Sequence, residues 1–335
     1  MKYVWMVLLL FSLMACNVQP KETESQKQDT TAVDPMTELS AKILADSLNA
    51  DLLNTRAAMY VQRKQVDLAF RDLNKGLLLA PRNASLYITL ADIYFGLGQI
   101  EQCSASLMKA TEVAPDDPRA FLKLAELSLA LGNHPLALSF NDKALAINKF
   151  NAEAYYERGL IFINKNDTIS ALKNFQLAID QRDDYFDALL QTATIYTGQH
   201  NSLAESYLLK AILLFPENLR ARYQLALYYQ ENNKVKEAIT QYDTILIVAP
   251  NNKFALYNLG YINLVYLDNY ETSLAYFDQV LQIDSEYVDA MYNKGRAMEA
   301  MGKYNEAKQI YKEVIRKRDN YPLAIEAINR IDQKR

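Results

Sequence analysis

Imidazole and thiol are scarce in this 335-residue chain: two histidines, His134 and His200, and two cysteines, Cys16 and Cys103. The histidines stand 66 residues apart, each in a segment that reads as a turn, with no metal-ligand spacing around either. Gly295 to Lys303 superficially offers a phosphate loop, but Gly295 and Gly302 are separated by six residues where that loop needs four. Gly96-Leu97-Gly98 follows a helical stripe and not a strand, the wrong context for a dinucleotide turn. The acidic pairs Asp116-Asp117 and Asp183-Asp184 sit where a new helix starts, a position that negative charge favours. No nucleophile, base and acid come together, so the reading is a non-enzyme with no cofactor and no metal. What the chain does have is tyrosine, 23 copies of it. A rigid ring carrying one hydroxyl is suited to recognition, and Tyr is enriched where binding energy concentrates.

The elements that would position those tyrosines follow a fixed beat. Small residues recur at Ala57, Ala91, Ala125, Gly159, Ala193, Ala226, Gly260 and Gly295, in steps of 34, 34, 34, 34, 33, 34 and 35. A second series follows at Ala69, Cys103, Ala137, Ala171, Ala204, Ala238, Ser273 and Ala307. In residues 84–117, Tyr87, Leu90, Ala91 and Tyr94 form one helical stripe, and Gly98 ends it by accepting the left-handed conformation. Cys103, Leu107, Ala110 and Val113 form a second stripe, stopped by Pro115. Two antiparallel helices approach closely where both carry small side chains. Cys103 therefore reads as a buried thiol acting as a small apolar residue. Self-similarity at fixed period implies a stack in which each unit buries its apolar face against its neighbours. The off-beat steps fall between Ala193 and Ala204 and between Gly260 and Ser273. Both windows contain a turn, where length changes cost least.

This layout resembles the tetratricopeptide repeat (TPR). The residues carrying the resemblance are Tyr87, Ala91, Tyr94, Cys103, Leu107, Ala110 and Pro115 in one unit. In others they are Ala226, Tyr229, Ala238, Tyr242 and Pro250, and Met291, Gly295, Ala307 and Tyr311. The closing Pro is replaced by Lys149, Asp183, Ser285 and Asp319 in four units. The resemblance implies an all-α fold, an α-α solenoid forming a right-handed superhelix of eight helix-turn-helix units across 50–321. A capping helix at 322–335 would follow, carrying Leu323, Ile325, Ile328 and Ile331. Residues 36–49 read as an additional N-terminal helix, with Leu39, Ile43, Leu44 and Leu48 on its stripe.

In that family the inner face is built from the first helix of each unit. Its fifth position here reads Asn54, Ile88, Leu122, Tyr156, Leu190, Tyr223, Tyr257 and Tyr292. The ninth reads Ala58, Asp92, Glu126, Leu160, Thr194, Leu227, Tyr261 and Arg296. The resemblance thus implies a partner-binding groove of Tyr156, Tyr223, Leu227, Tyr257, Tyr261 and Tyr292, with Asn258, Asn293 and Arg296 as polar handles. Packing of the same tyrosines onto the next repeat is the open alternative. Chaperone adaptors of the family grip a chain-terminal carboxylate, but the matching positions here, Asn54, Ala58, Thr89, Arg119 and Lys123, supply only the last two of that set. An asparagine ladder fails as well, because the sixth position reads Thr55, Thr89, Lys123, Glu157, Gln191, Gln224, Asn258 and Asn293.

The N-terminus carries an export pattern. Lys2 precedes an apolar run from Val4 to Met14, too short to span a bilayer core of about 30 Å. It closes on Leu13-Met14-Ala15-Cys16, which resembles a bacterial lipobox. By that resemblance residues 1–15 are removed and Cys16 carries the lipid; an ordinary secretory signal cleaved nearby is the alternative. Two or more acyl chains hold a protein stably at a membrane. Residues 16–35 are polar and read as a flexible tether, with a reach of roughly 25 Å for about twenty residues. Asn17 is not the Asp that retains lipoproteins at the inner membrane, which favours the outer membrane in a double-membraned cell. Net charge is −4, with no basic stripe, so nucleic acid is not the expected partner. The expectation is an extracytoplasmic, lipid-anchored scaffold that binds protein segments in cell-envelope assembly or secretion. The alternative is a surface receptor for a small ligand or glycan.

Overall fold

The computed structural model describes residues 34–333, so the export pattern, Cys16 and nearly all of the tether lie outside the described residues. Eighteen α-helices and no strand are found among the described residues. They fall into two compact bodies, one ending at Leu79 and the other beginning at Ala80.

The first body holds α1 (Pro35–Ala45), α2 (Ala50–Gln62) and α3 (Val66–Leu79). Pro35 starts α1, where its missing N–H costs nothing. Leu39 and Ile43 of α1 are buried against Leu53 of α2, whereas Leu44 and Leu48, read on the same stripe, are 86% and 71% exposed. The buried stripe is therefore narrower than the sequence pattern. Between α2 and α3, Arg56 forks onto Asp72 through Nε–Oδ2 at 2.6 Å and Nη2–Oδ1 at 2.9 Å. Bidentate geometry of this kind satisfies a carboxylate that is only 2% exposed.

The second body stacks seven helix pairs and a last helix in series. The pairs are α4 (Ala84–Gly96) with α5 (Ile100–Val113), α6 (Pro118–Ala130) with α7 (His134–Ile147), and α8 (Ala152–Asn164) with α9 (Thr168–Gln181). Next come α10 (Phe186–Gly198) with α11 (Leu203–Leu214), and α12 (Leu219–Glu231) with α13 (Val235–Val248). Then follow α14 (Lys253–Val265) with α15 (Tyr270–Ile283), α16 (Val288–Ala300) with α17 (Tyr304–Lys317), and the capping helix α18 (Pro322–Gln333). Together with α2 and α3 this makes the eight helix-turn-helix units expected of an α-α solenoid.

Each boundary has a local cause. First helices begin behind Asn49, Asn83, Asp117, Asn151, Asn218 and Asn252, whose side-chain oxygens accept from N–H groups of the first turn. Every turn inside a pair contains one residue at positive φ: Lys64, Gly98, Gly132, Asn166, His200, Asn233, Asp268 and Gly302. The left-handed residue closes the first helix and lets the chain reverse. His200 is thus a turn residue, while His134 opens α7. The longer repeat has four residues in the turn between α14 and α15, and the shorter one starts α11 late, at Leu203.

Small residues hold the two helices of a pair together. Ala91, Ala125, Ala193, Ala226, Ala238 and Ala307 are all at most 1% exposed, and Cys103 is 3% exposed. Burial also pushes the Cys103 thiol above its ordinary range. Glycine replaces alanine where the second helix brings an aromatic ring to the same spot. A Cβ on Gly260 would lie 2.8 Å from the Phe277 ring, and one on Gly295 would lie 2.6 Å from Tyr311. A Cβ on Gly159 would likewise collide with Phe175.

Gly260→Ala should therefore lower stability. Up to about 1 kcal/mol of helix propensity is gained, but overpacking a buried ring costs roughly 1–3 kcal/mol. Phe277→Leu in the same molecule should cost less than the two single losses added together. Urea unfolding of the two single variants and the double variant measures this. A midpoint raised by Gly260→Ala would show that the ring yields freely.

Candidate partner-binding face

First helices of adjacent pairs approach each other at α4 with α6, α6 with α8 and α14 with α16, more closely than any two second helices do. At those places the first helices line the inner side of the second body. The sequence-derived residues all lie on these helices: Tyr156 on α8, Tyr223 and Leu227 on α12, Tyr257, Asn258 and Tyr261 on α14, and Tyr292, Asn293 and Arg296 on α16.

They divide into two sets. The fifth-position tyrosines are half-buried and sit in stacks of three rings. Tyr156 lies 5.0 Å from Tyr185 and 5.6 Å from Phe175. Tyr257 lies 5.2 Å from Tyr287 and 5.8 Å from Phe277, and Tyr292 lies 5.3 Å from Tyr321 and 5.6 Å from Tyr311. Tyr223 meets Tyr242 at 5.9 Å and Phe254 at 6.4 Å. Each ring thus bridges the second helix of its own pair and the entry to the next.

The asparagines continue that bridge. Asn258 Nδ2 donates to the Tyr223 hydroxyl at 3.0 Å, and Asn293 Nδ2 donates to the Tyr257 hydroxyl at 2.9 Å. Gln191 stands beside the Tyr156 hydroxyl, where it offsets part of the upward push that burial gives the phenol. Burial pushes the Tyr257 phenol up to about 12. Asn258 is 8% exposed and Asn293 4%, so both are spent on the repeat interface and are not free handles. Asn293 Oδ1 also accepts from Arg296 Nη1 at 3.0 Å. The second set, Leu227, Tyr261 and Arg296, is partly exposed on the inner side. Tyr261 touches a single ring, Tyr266, edge-on at 6.4 Å.

Sequence reasoning passed over the junction tyrosines Tyr185, Tyr287 and Tyr321. Their signal was present: Tyr185 and Tyr287 stand where other repeats place a capping Asn or Asp, and neither caps its helix through a side chain. The site reading also passed over a cleft of about 270 Å³ between α6 and α8, at the Tyr156 end of the row. Its walls include Lys123, Glu126, Glu153, Tyr156, Glu157 and Tyr185. Glu157 Oε2 is buried with no hydrogen-bond partner. Burial pushes this carboxyl up to about 9, Glu153 and Glu126 add to the shift, and Lys123 opposes it. Lys123 itself faces Asp92 at 3.2 Å and Glu126 at 3.3 Å. Burial disfavours its charge, but those carboxylates hold the ammonium above its usual range.

Models of the tetratricopeptide repeat match residues 60–127 and 264–331, 195–253 and 223–284, and 152–185. No curated protein matches the chain. Among solved structures, the chain is similar to the C-terminal part of a TPR repeat-containing protein from Cytophaga hutchinsonii. That match has a TM-score of 0.60 and 17% identity, over 71% of this chain and 98% of that one. It is also similar to pilF of Pseudomonas aeruginosa, with a TM-score of 0.53 and 17% identity over 65% and 97%. YrrB, described as a TPR protein with an unusual peptide-binding site, is 26% identical over 57% and 98%, with a TM-score of 0.47.

Two substitutions separate the sets. Tyr257→Ala should destabilise by about 2–4 kcal/mol, because it empties a ring stack and strands the buried Asn293 amide. Tyr261→Ala should stay within about 0.5–1 kcal/mol of the parent. Chemical denaturation of both variants decides. Equal losses would place Tyr261 in the packing as well.

Proposed function

Since the chain belongs to the tetratricopeptide repeat family, we propose that it is a scaffold that captures an extended protein segment along the first helices of its second body. The observation that carries this is the row Leu227, Tyr261 and Arg296. These side chains occupy the same position on three successive first helices, partly exposed on the inner side. The tyrosine stacks behind them fix the spacing of that row, so a bound segment would meet a preorganised surface.

The glycan alternative is weaker on physical grounds. Sugar stacking needs an open aromatic face, and Tyr156, Tyr257 and Tyr292 each lie between two other rings. We further propose that Cys16 is the lipid-bearing residue and that the scaffold works on the extracytoplasmic side of a membrane. The outer membrane would be its site in a double-membraned cell, with cell-envelope assembly or secretion as the setting. The apolar run Val4 to Met14 followed by Ala15-Cys16 supports this reading. Among the described residues no helix is long and apolar enough to cross a membrane.

A photo-crosslinking residue placed at Arg296 in the native cell should trap a partner. Combining it with Leu227→Ala and Tyr261→Ala should reduce trapping roughly thirtyfold to thousandfold, at about 1–2 kcal/mol per anchor. Unchanged trapping would remove this row from the binding surface. Separately, Cys16→Ser should move the protein from the membrane fraction to the soluble fraction. Persistent membrane association of that variant would refute the anchor.

A further inference from the structure

We infer that the second body bends at one built-in place, the junction between the α6–α7 pair and the α8–α9 pair. There α4–α7 turns against α8–α18 as one block against another. The inference goes beyond the scaffold reading and does not need the row of Leu227, Tyr261 and Arg296.

The core of each pair is filled by the residue four places after the small residue of the second helix. In seven repeats it is Leu, Phe or Tyr, as at Leu107, Phe175 and Tyr242, and each is at most 2% exposed. In the α6–α7 pair it is Asn141, 0% exposed. Asn141 Nδ2 donates across the junction to the Ala154 carbonyl at 2.8 Å, and its Oδ1 is buried with no partner. Burying an unpaired acceptor carries a cost that corresponds to roughly fivefold to hundredfold in an opening equilibrium. Opening this junction returns that oxygen to water, whereas opening at its apolar counterparts costs hydrophobic burial.

A second feature of the same junction points the same way. At α12–α14 and α14–α16 a sixth-position asparagine donates to the fifth-position tyrosine of the preceding repeat. Here those two positions hold Glu157 and Leu122. Leucine has no hydroxyl, and Glu157 Oε2 is buried without a partner. Among the described residues this is the single junction with two such oxygens. The cleft of about 270 Å³ lies between the same two first helices, lined in part by Ala125 and Glu157, so the packing is incomplete as well. Besides the Asn141 bond, the pairs are joined by a small buried cluster of Leu122, Ala144 and Ala154 and by the ion pair of Arg158 with Asp142. That ion pair is partly exposed and contributes little. In a linear stack, stability is a sum of units and nearest-neighbour interfaces, so motion concentrates at the weakest interface.

Electron paramagnetic resonance distances between paired spin labels test this in the full chain carrying Cys16→Ser; Cys103 is buried and stays unlabelled. One pair, Ala105→Cys with Lys173→Cys, crosses the junction from exposed positions of α5 and α9. The reference pair, Thr240→Cys with Gln309→Cys, occupies the matching positions of α13 and α17. The first distance distribution should be about twofold broader than the reference, or more. Asn141→Leu supplies the leucine that Leu73 and Leu107 provide in other repeats, and the Ala154 carbonyl it releases keeps its own helical donor four residues on. This variant should narrow the first distribution to the reference width and leave the reference unchanged. Equal widths in the parent overturn the hinge, as does a first distribution that stays broad in Asn141→Leu. Should that variant fail to fold, Asn141→Met, unbranched and able to fill an irregular gap, takes its place with the same two outcomes.

Discussion

Close approach of two helices at one small residue is the constraint on which this structure depends. In each repeat a residue of the first helix must be small enough for a bulky residue of the second to lie across it. Where that bulky residue is Leu73, Leu107 or Leu208, alanine suffices. Where it is Phe175, Phe277 or Tyr311, the first helix gives up even its Cβ. Glycine in a helix interior is unfavourable by propensity alone, so its recurrence at these places shows that interlocking packing outweighs the local backbone preference. Tyr242 is accommodated against Ala226 instead, so the rule tolerates one exception.

The same ring that presses on the glycine also builds the inner side. Phe175, Phe277 and Tyr311 each support a fifth-position tyrosine, which leans in turn on a tyrosine at the next junction. The hydroxyls of Tyr223 and Tyr257 then accept from an asparagine amide of the following repeat. Packing within a pair, packing between pairs and spacing of the exposed row thus share the same atoms. The residues that bind and the residues that support them are neighbours on one helix.

Much of this was legible in the sequence. The 34-residue beat of small residues located the helix pairs, and the two off-beat windows marked the irregular turns, because a solenoid repeats its local chemistry with its geometry. The site was legible only as a set of helix positions. Position five looked like a binding surface because tyrosine gathers there, yet those rings face the next repeat. Their partners, Tyr185, Tyr287 and Tyr321, keep the same beat but stand at the helix junctions, where the pattern points to a capping residue and not to a ring stack. Asn258 and Asn293 looked like polar handles for the same reason. The Glu157 cleft was hidden differently. Its members, Lys123, Glu126, Glu153 and Glu157, are ordinary helix-surface residues in sequence, and only the approach of α6 to α8 encloses one of them.

The tyrosine–amide rungs have a mechanical consequence. From α12 to α16 each repeat is latched to the next by a hydroxyl–amide bond set inside an aromatic stack, so neighbouring units resist being peeled apart one at a time. Tension applied along the row would load several latches together. A partner strung across Leu227, Tyr261 and Arg296 would then be held against something closer to a stiff rail than a jointed chain.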